Sequence, residues 1–192
     1  TLFRAPKQLN GTLTDTTGNP LPNEAAPGPN SDGSYAAGVV SYERDGGTVD
    51  IPDLDNNPLA SFGTTAFPGI PGTGGHNNNF ALSAVGFLEL TPGVHTFGIS
   101  VAADRTDVND DDSFMILAAA NPRDFFATKV AEFERIAPGF MSNWRNENQF
   151  SLSVTAAGLF PIRIIYWQTG HGANLNFYTI DPTTGERILV ND

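Results

Sequence analysis

Apolar residues recur at every second position through much of the chain's second half. In "GVHTFGISV", His95, Phe97, Ile99 and Val101 fall on one side of an extended chain, and Val94, Thr96, Gly98 and Ser100 on the other. The first set carries the large apolar groups and is the expected core face. The same period predicts strands over 80–90 and 94–102, joined by Thr-Pro-Gly, then over "SFMILAA", 150–154, 160–167, 174–180 and 187–190. Turn formers separate the last of these: Ala-Ala-Gly, Gly-His-Gly and Pro-Thr-Thr-Gly. Within 160–167, Phe160, Ile162, Ile164 and Tyr166 alternate with Ile165 and Trp167. Both faces of this strand are apolar, so it is expected at the centre of a sheet, covered on each side.

The remaining segments are less periodic. In "NPRDFFATKVAEFERI", Asn121 as cap, Pro122 at the first position and Asp124 in the first turn predict a helical turn over 122–126, followed by a strand. "GTVDIPDLDNNPLASFGTTAFPGIPGTGGHNNN" reads as a long polar loop region. Residues 1–35 are crowded with turn signals (G-N-P, P-G-P, D-G) and read as an N-terminal arm or linker, leaving 36–192 as the folded domain. Many short strands with at most one short helix predict an all-β fold: an antiparallel, jelly-roll-like β-sandwich with long loops.

Composition agrees with that picture. A chain of 192 residues, 40% hydrophobic with 14 Phe, can bury the core of one domain. Only 16% is charged, while 20 Gly and 14 Pro suit loops between strands. The balance of 21 acidic against 10 basic residues, net −11, speaks against nucleic acid and anionic membrane surfaces as partners. It is compatible with cation binding or with solubility alone. There is no cysteine, which excludes disulfides, thiol catalysis and thiolate metal sites. No apolar run approaches the length of a membrane helix, and "TLFRAPKQLN" lacks the features of a signal peptide. A start at Thr1 fits a processed chain or an excised domain.

Candidate chemistry concentrates in "DRTDVNDDDS". Asp107, Asn109 and Asp111 alternate in the D-x-N-x-D manner that lets a loop wrap oxygen ligands around a hard cation, with Asp110 and Asp112 adjoining. An EF-hand would need Gly at 112 and Glu at 118, where Asp112 and Ala118 stand. Two readings remain: a non-helical Ca²⁺ loop, or a solvated acidic turn in which Asp and Asn bond their own backbone. A second candidate surrounds "QTGHGAN", flanked by the aromatics Tyr166, Trp167 and Tyr178, where a sugar ring could stack on Trp167 with His171 and Asn174 as further ligand-binding residues. The competing reading makes strand aromatics core or cross-strand pairs. Trp144, in polar "SNWRNEN", is the better candidate for an exposed aromatic. His76, His95 and His171 show no metal-ligand spacing. Glu132 and Glu134 would share a strand face without an identified partner, and no G-x-S-x-G occurs. "GTGGH" lacks the Lys of a phosphate loop. The sequence makes no positive case for an enzyme.

Four features in order carry a resemblance. "GFLELTPGVHTFGISVAAD" leads into "NDDDSFMI", and later comes "FSLSVTAAGLFPIRIIYWQTGHGANLNFYTIDP". This series resembles the protective-antigen domain family, a β-sandwich named after an anthrax toxin component and found in bacterial enzymes, adhesins and yeast flocculins. It spans about residues 80–180 and departs from the family pattern by the insertion "RTDVND". The resemblance implies an extracellular or cell-surface module, bacterial in setting, that binds a polysaccharide or other glycan. In lectin members an Asp-Asp pair holds Ca²⁺, which ligates sugar hydroxyls; the matching positions are Asp110, Asp111 and Asp112. The alternative is a structural or adhesion module of a surface assembly or filament, touching neighbouring domains of a larger protein and binding no glycan.

Overall fold

Alternating large apolar and small or polar side chains build two antiparallel sheets. The computed structural model describes residues 4–52, 58–101, 112–124, 126–134, 147–170 and 172–192. Among them a short helix, α1 (Arg4–Leu9), precedes the strands β1 (Ser41–Glu43), β2 (Gly47–Pro52), β3 (Pro58–Thr64), β4 (Phe80–Leu90) and β5 (Gly93–Val101). These are followed by β6 (Ser113–Ala118), β7 (Thr128–Phe133), β8 (Glu147–Val154), β9 (Gly158–Gln168), β10 (Asn174–Ile180) and β11 (Arg187–Leu189). The first sheet has the order β4-β9-β6-β7. The second runs β1-β10-β5-β8, with β11 also paired to β10, and β2 with β3 forms a separate hairpin. This is the expected all-β, antiparallel sandwich.

β4 and β9 pair without a break from Phe80 opposite Gln168 to Leu90 opposite Gly158. The next turn carries the chain into β5 of the other sheet, so the strands on either side of Thr-Pro-Gly do not pair with each other. His95 fastens this corner, donating from Nε2 to the Thr91 carbonyl at 2.7 Å.

The core lies between the sheets. Phe97, Ile99, Val101, Leu175 and Phe177 meet Phe114, Ile116, Ile162, Ile164 and Tyr166 there. Phe97 stacks on Phe150 and Phe177, with centroids 5.5 and 5.6 Å apart. β9 is central and covered on both faces, as its composition requires. Ile165 and Trp167 face outward onto Met115, under Ala5 and Leu9 of α1. The second sheet is covered too: Ile51 and Phe62 of the hairpin pack on Tyr178 and Leu189.

Two expectations give way. The segment predicted as polar loop contains the β2–β3 hairpin, with Val49 opposite Phe62 and Ile51 opposite Ala60. Its alternation is short and flanked by Pro and Gly, and its stability comes from the sheet it covers. The described residues near 122–126 form no helix. Asn121 caps a turn instead, accepting from Arg123 N at its Oδ1 (3.1 Å) and from Asp124 N at its carbonyl (3.0 Å). The helix falls at α1, within the segment read as arm or linker. Six residues are too few for an isolated helix, so burial of Ala5 holds it. The following chain is tied down as well, by Ala26 N to Gly69 O (3.0 Å) and Tyr35 Oη to Ala26 O (2.9 Å).

Candidate functional site

Strand direction brings the described residues that flank the candidate segments to one end of the sandwich. β5 ends at Val101 opposite Leu175, and β6 begins at Ser113 opposite Trp167. β7 ends at Phe133 opposite Phe114, and β8 begins at Glu147 opposite Ser100. The described residues flanking 102–111, 135–146 and 171 therefore all stand at this end. Asp107, Asn109, Asp110, Asp111, Trp144 and His171 lie outside the described residues.

Asp112 immediately precedes β6 and is 1% exposed. Its Oδ2 accepts the backbone N–H of Asn174 at 3.1 Å, a bond between strands of different sheets. A carboxylate this deeply buried needs compensation, and the Asn174 N–H is one donor that supplies it. Carboxylate oxygen is a hard donor, and the candidates at 107–111 are Asp and Asn, so the residue types suit a hard cation such as Ca²⁺. Among the described residues no three His, Cys, Asp or Glu gather as a metal cluster.

Two sequence candidates are buried. Trp167 is 4% exposed beneath α1, which covers the face a sugar would need for stacking. Asn174 is fully buried, so its backbone reaches the site while its amide lies in the interior. Of the other residues weighed, Glu132 is paired with Lys129.

Sequence reasoning passed over several polar groups at this end. Gln168, 1% exposed, donates from Nε2 to the Gly170 carbonyl and lies 3.5 Å from Asn78 Oδ1. Asn78 Oδ1 also accepts from Arg44 Nη2 at 3.2 Å. Next to them a polar cleft of about 420 Å³ is lined by Glu24, Gly75, His76, Asn77, Asn78 and Asn79. Glu43 has its carboxyl held above the ordinary value, mainly by burial and then by Asp45. The available signals were a Gln closing the apolar run "FPIRIIYWQ" and three consecutive Asn before β4.

At the same end Glu147 receives Arg187 in a two-pronged pair, 2.7 Å from Nε to Oε1 and 3.0 Å from Nη2 to Oε2. Tyr178 Oη donates to Glu147 Oε1 at 2.9 Å and Gln149 Nε2 to Oε2 at 2.9 Å. This pins the first residue after 135–146.

No family model and no curated protein matches the chain. Solved structures with partial similarity include an A domain of epithelial adhesin 9 from Candida glabrata, subtype-switched to epithelial adhesin 1, in complex with β-lactose. It has TM-score 0.45 and 14% identity, over 78% of this chain and 61% of that one. The A domain of epithelial adhesin 6 from the same organism, in complex with Galβ1-3GlcNAc, gives TM-score 0.44 and 14% identity over 78% and 63%. The PA14 domain of the antifreeze protein MpAFP gives 0.38 and 12% over 81% and 73%. The chain thus spans less than two thirds of the adhesin domains it matches.

Proposed function

We propose that this end of the sandwich binds a glycan with the help of Ca²⁺, in an extracellular module of protective-antigen type. The observation that supports the reading is Asp112, a buried carboxylate that Asn109, Asp110 and Asp111 directly precede in the chain. Ca²⁺ bound there would offer open coordination positions to neighbouring sugar hydroxyls. The chain's own residues do the rest. The Asn174 N–H orients the Asp112 carboxylate, and the Asp112–Asn174 bond holds the two sheets in register at the site. The amides of Asn77, Asn78 and Asn79, with Glu24 and His76, line the adjoining cleft with donors and acceptors suited to hydroxyl groups. Glu147, clamped by Arg187, fixes the start of β8, three residues after Trp144 in the chain.

The test is a soluble-glycan array probed with the intact chain in Ca²⁺ and again in chelator. Binding is expected in Ca²⁺ only and is lost in Asp112→Asn. Binding that survives chelator would reject the calcium-dependent form, and silence across neutral and acidic glycans would reject the glycan reading.

A further inference from the structure

Strand β4 forms one edge of the first sheet and β7 the other. The two edges are finished differently. β7 has six residues, carries Lys129 and Glu132, and meets β6 through a register shift at Ile116 and Leu117. A short, charged, irregular strand is how a sheet edge is normally kept from pairing with another chain. β4 has eleven residues and pairs with β9 without a shift. From Phe80 to Leu88 it reads "FALSAVGFL", with no charge and no proline. In an antiparallel ladder every second residue of an edge strand turns its N–H and C=O away from its neighbour. Among the described residues no backbone hydrogen bond joins β4 to anything but β9, so its outer edge is unmatched.

That edge faces a groove of about 1130 Å³, lined on one side by residues 80–88 in unbroken succession and on the other by 21–27 and 32–35. The far wall is built in advance. Ala26 N donates to Gly69 O at 3.0 Å and Thr73 N to Glu24 O at 2.6 Å. A Cβ at Gly69 would lie 2.7 Å from Ala26 O, and one at Gly72 would strike Glu24 O, so the two segments touch main chain to main chain. The groove is apolar on both faces of the strand. Leu82 and Ala84 turn inward and, with Ile70, pack against the core. Val85 and Phe87 turn outward, 42% and 67% exposed.

One charge addresses the groove from the outer face. Arg163 of β9 is 9% exposed and donates from Nε to Ser83 Oγ at 2.8 Å, so its side chain reaches over β4 toward the edge. Among the described residues no acid pairs with it. Burial and then Arg123, a second cation lining the groove, hold its guanidinium below the ordinary value. Arg123 has Asp32 as a neighbouring charge, whereas Arg163 has none of opposite sign. A buried charge is normally paired, and in a chain of net −11 an acid would be easy to supply.

We propose that the groove takes one extended peptide segment as an added strand beside β4, apolar at alternate positions and carrying a carboxylate that reaches Arg163. A row of alternating main-chain donors and acceptors is matched by another strand, and alternate side chains of that strand fall on the inner and outer apolar faces. The far wall stands where a second sandwich would have to approach, so the partner is a peptide segment and not the β4 of another copy. This site is separate from Asp112 and needs neither Ca²⁺ nor a glycan.

The probe is an array of end-blocked nine-residue peptides with Val, Leu, Ile or Phe at alternate positions and Thr between. Each is made with Glu, and again with Lys, at one Thr position in turn. Against the intact chain, the tightest Glu peptide should bind roughly tenfold or more better than its Lys twin, and Arg163→Gln should erase that preference. On the native chain, amide exchange within 80–88 should slow in the complex. N-methylation of alternate peptide residues should abolish binding in one register and weaken it far less in the other, because only one edge of the peptide meets β4. Silence across the array at millimolar peptide would overturn the proposal. So would binding that leaves exchange in 80–88 unchanged, or that ignores the register of methylation, since either describes an apolar surface and not a strand acceptor. Equal affinity for Glu and Lys peptides would overturn the role of Arg163. Dimerisation without peptide, with 80–88 protected, would give the edge to a second copy and overturn it as well.

Discussion

Gly98 stands opposite Tyr178 in the β5–β10 ladder, and the phenol ring lies across the space a side chain would occupy. A Cβ at 98 would come within 2.6 Å of Tyr178 Cζ. The ring cannot swing clear, because it is fully buried and its hydroxyl is held by Glu147. Gly98→Ala should cost about 1–3 kcal/mol of stability in denaturant unfolding, although alanine normally favours a strand over glycine. Unchanged stability would show that the ring has room to move. Glu147 sets a pH dependence. Burial pushes its carboxyl upward, but hydrogen bonds from Arg187, Gln149 and Tyr178 outweigh this and hold it below its ordinary value of 4.5. A depressed folded-state pKa contributes stability above the unfolded value, and that contribution is lost as pH falls through the folded one. Native protein should therefore lose stability as pH drops below about 4.5. Glu147→Gln should begin about 1–3 kcal/mol less stable at pH 7 and show a shallower acid loss. Parallel acid limbs for the two proteins would remove Glu147 from that role.

Two small elements, α1 and the β2–β3 hairpin, cover the outer faces that make the sheets apolar on both sides. Ile51 is fully buried between hairpin and sheet. Ile51→Ala should destabilise the chain by about 2–5 kcal/mol, the cost of a cavity in a well-packed layer. A loss well under 1 kcal/mol would mean that the hairpin packs only loosely on Tyr178. Helix α1 shields Trp167 in the same manner. Removing residues 1–11 in a Trp144→Phe background should move Trp167 emission to the red and lower Tm. Unshifted emission would show that the indole is covered without the helix.

The two halves of the sandwich meet at the Asp112–Asn174 bond, so the state of that end is coupled to the stability of the whole molecule. If Ca²⁺ binds only the folded chain, it stabilises by mass action, about 2.7 kcal/mol at a hundredfold excess over Kd. Tm should then rise with Ca²⁺ and fall with chelator, and Asp111→Asn with Asp112→Asn should abolish the response. A solvated acidic turn predicts no calcium response, and a melting curve indifferent to millimolar Ca²⁺ would leave only that reading.

Period-two alternation was enough to place β4 at 80–90 and β10 at 174–180, and to turn Phe97, Ile99 and Val101 toward the core. It also marked β9 as a strand covered on both faces. These are local properties: a pleated chain has two sides, and side-chain chemistry alone says which is dry. Pairing was not legible, because an alternating strand looks the same whichever neighbour it takes; β4 and β5, adjacent in sequence, end in different sheets. Nor was the element that covers Trp167, weighed both as a sugar platform and as a core aromatic: a helix at Arg4–Leu9, far away in the chain, lies over it. A polar row across the second sheet, Ser41, Asn176, Ser100 and Glu147, is the clearest case. Its members are scattered over the chain, and only the register of four strands sets them side by side. Long-range pairing decides such arrangements because it depends on the packing of the whole molecule, which no single segment encodes.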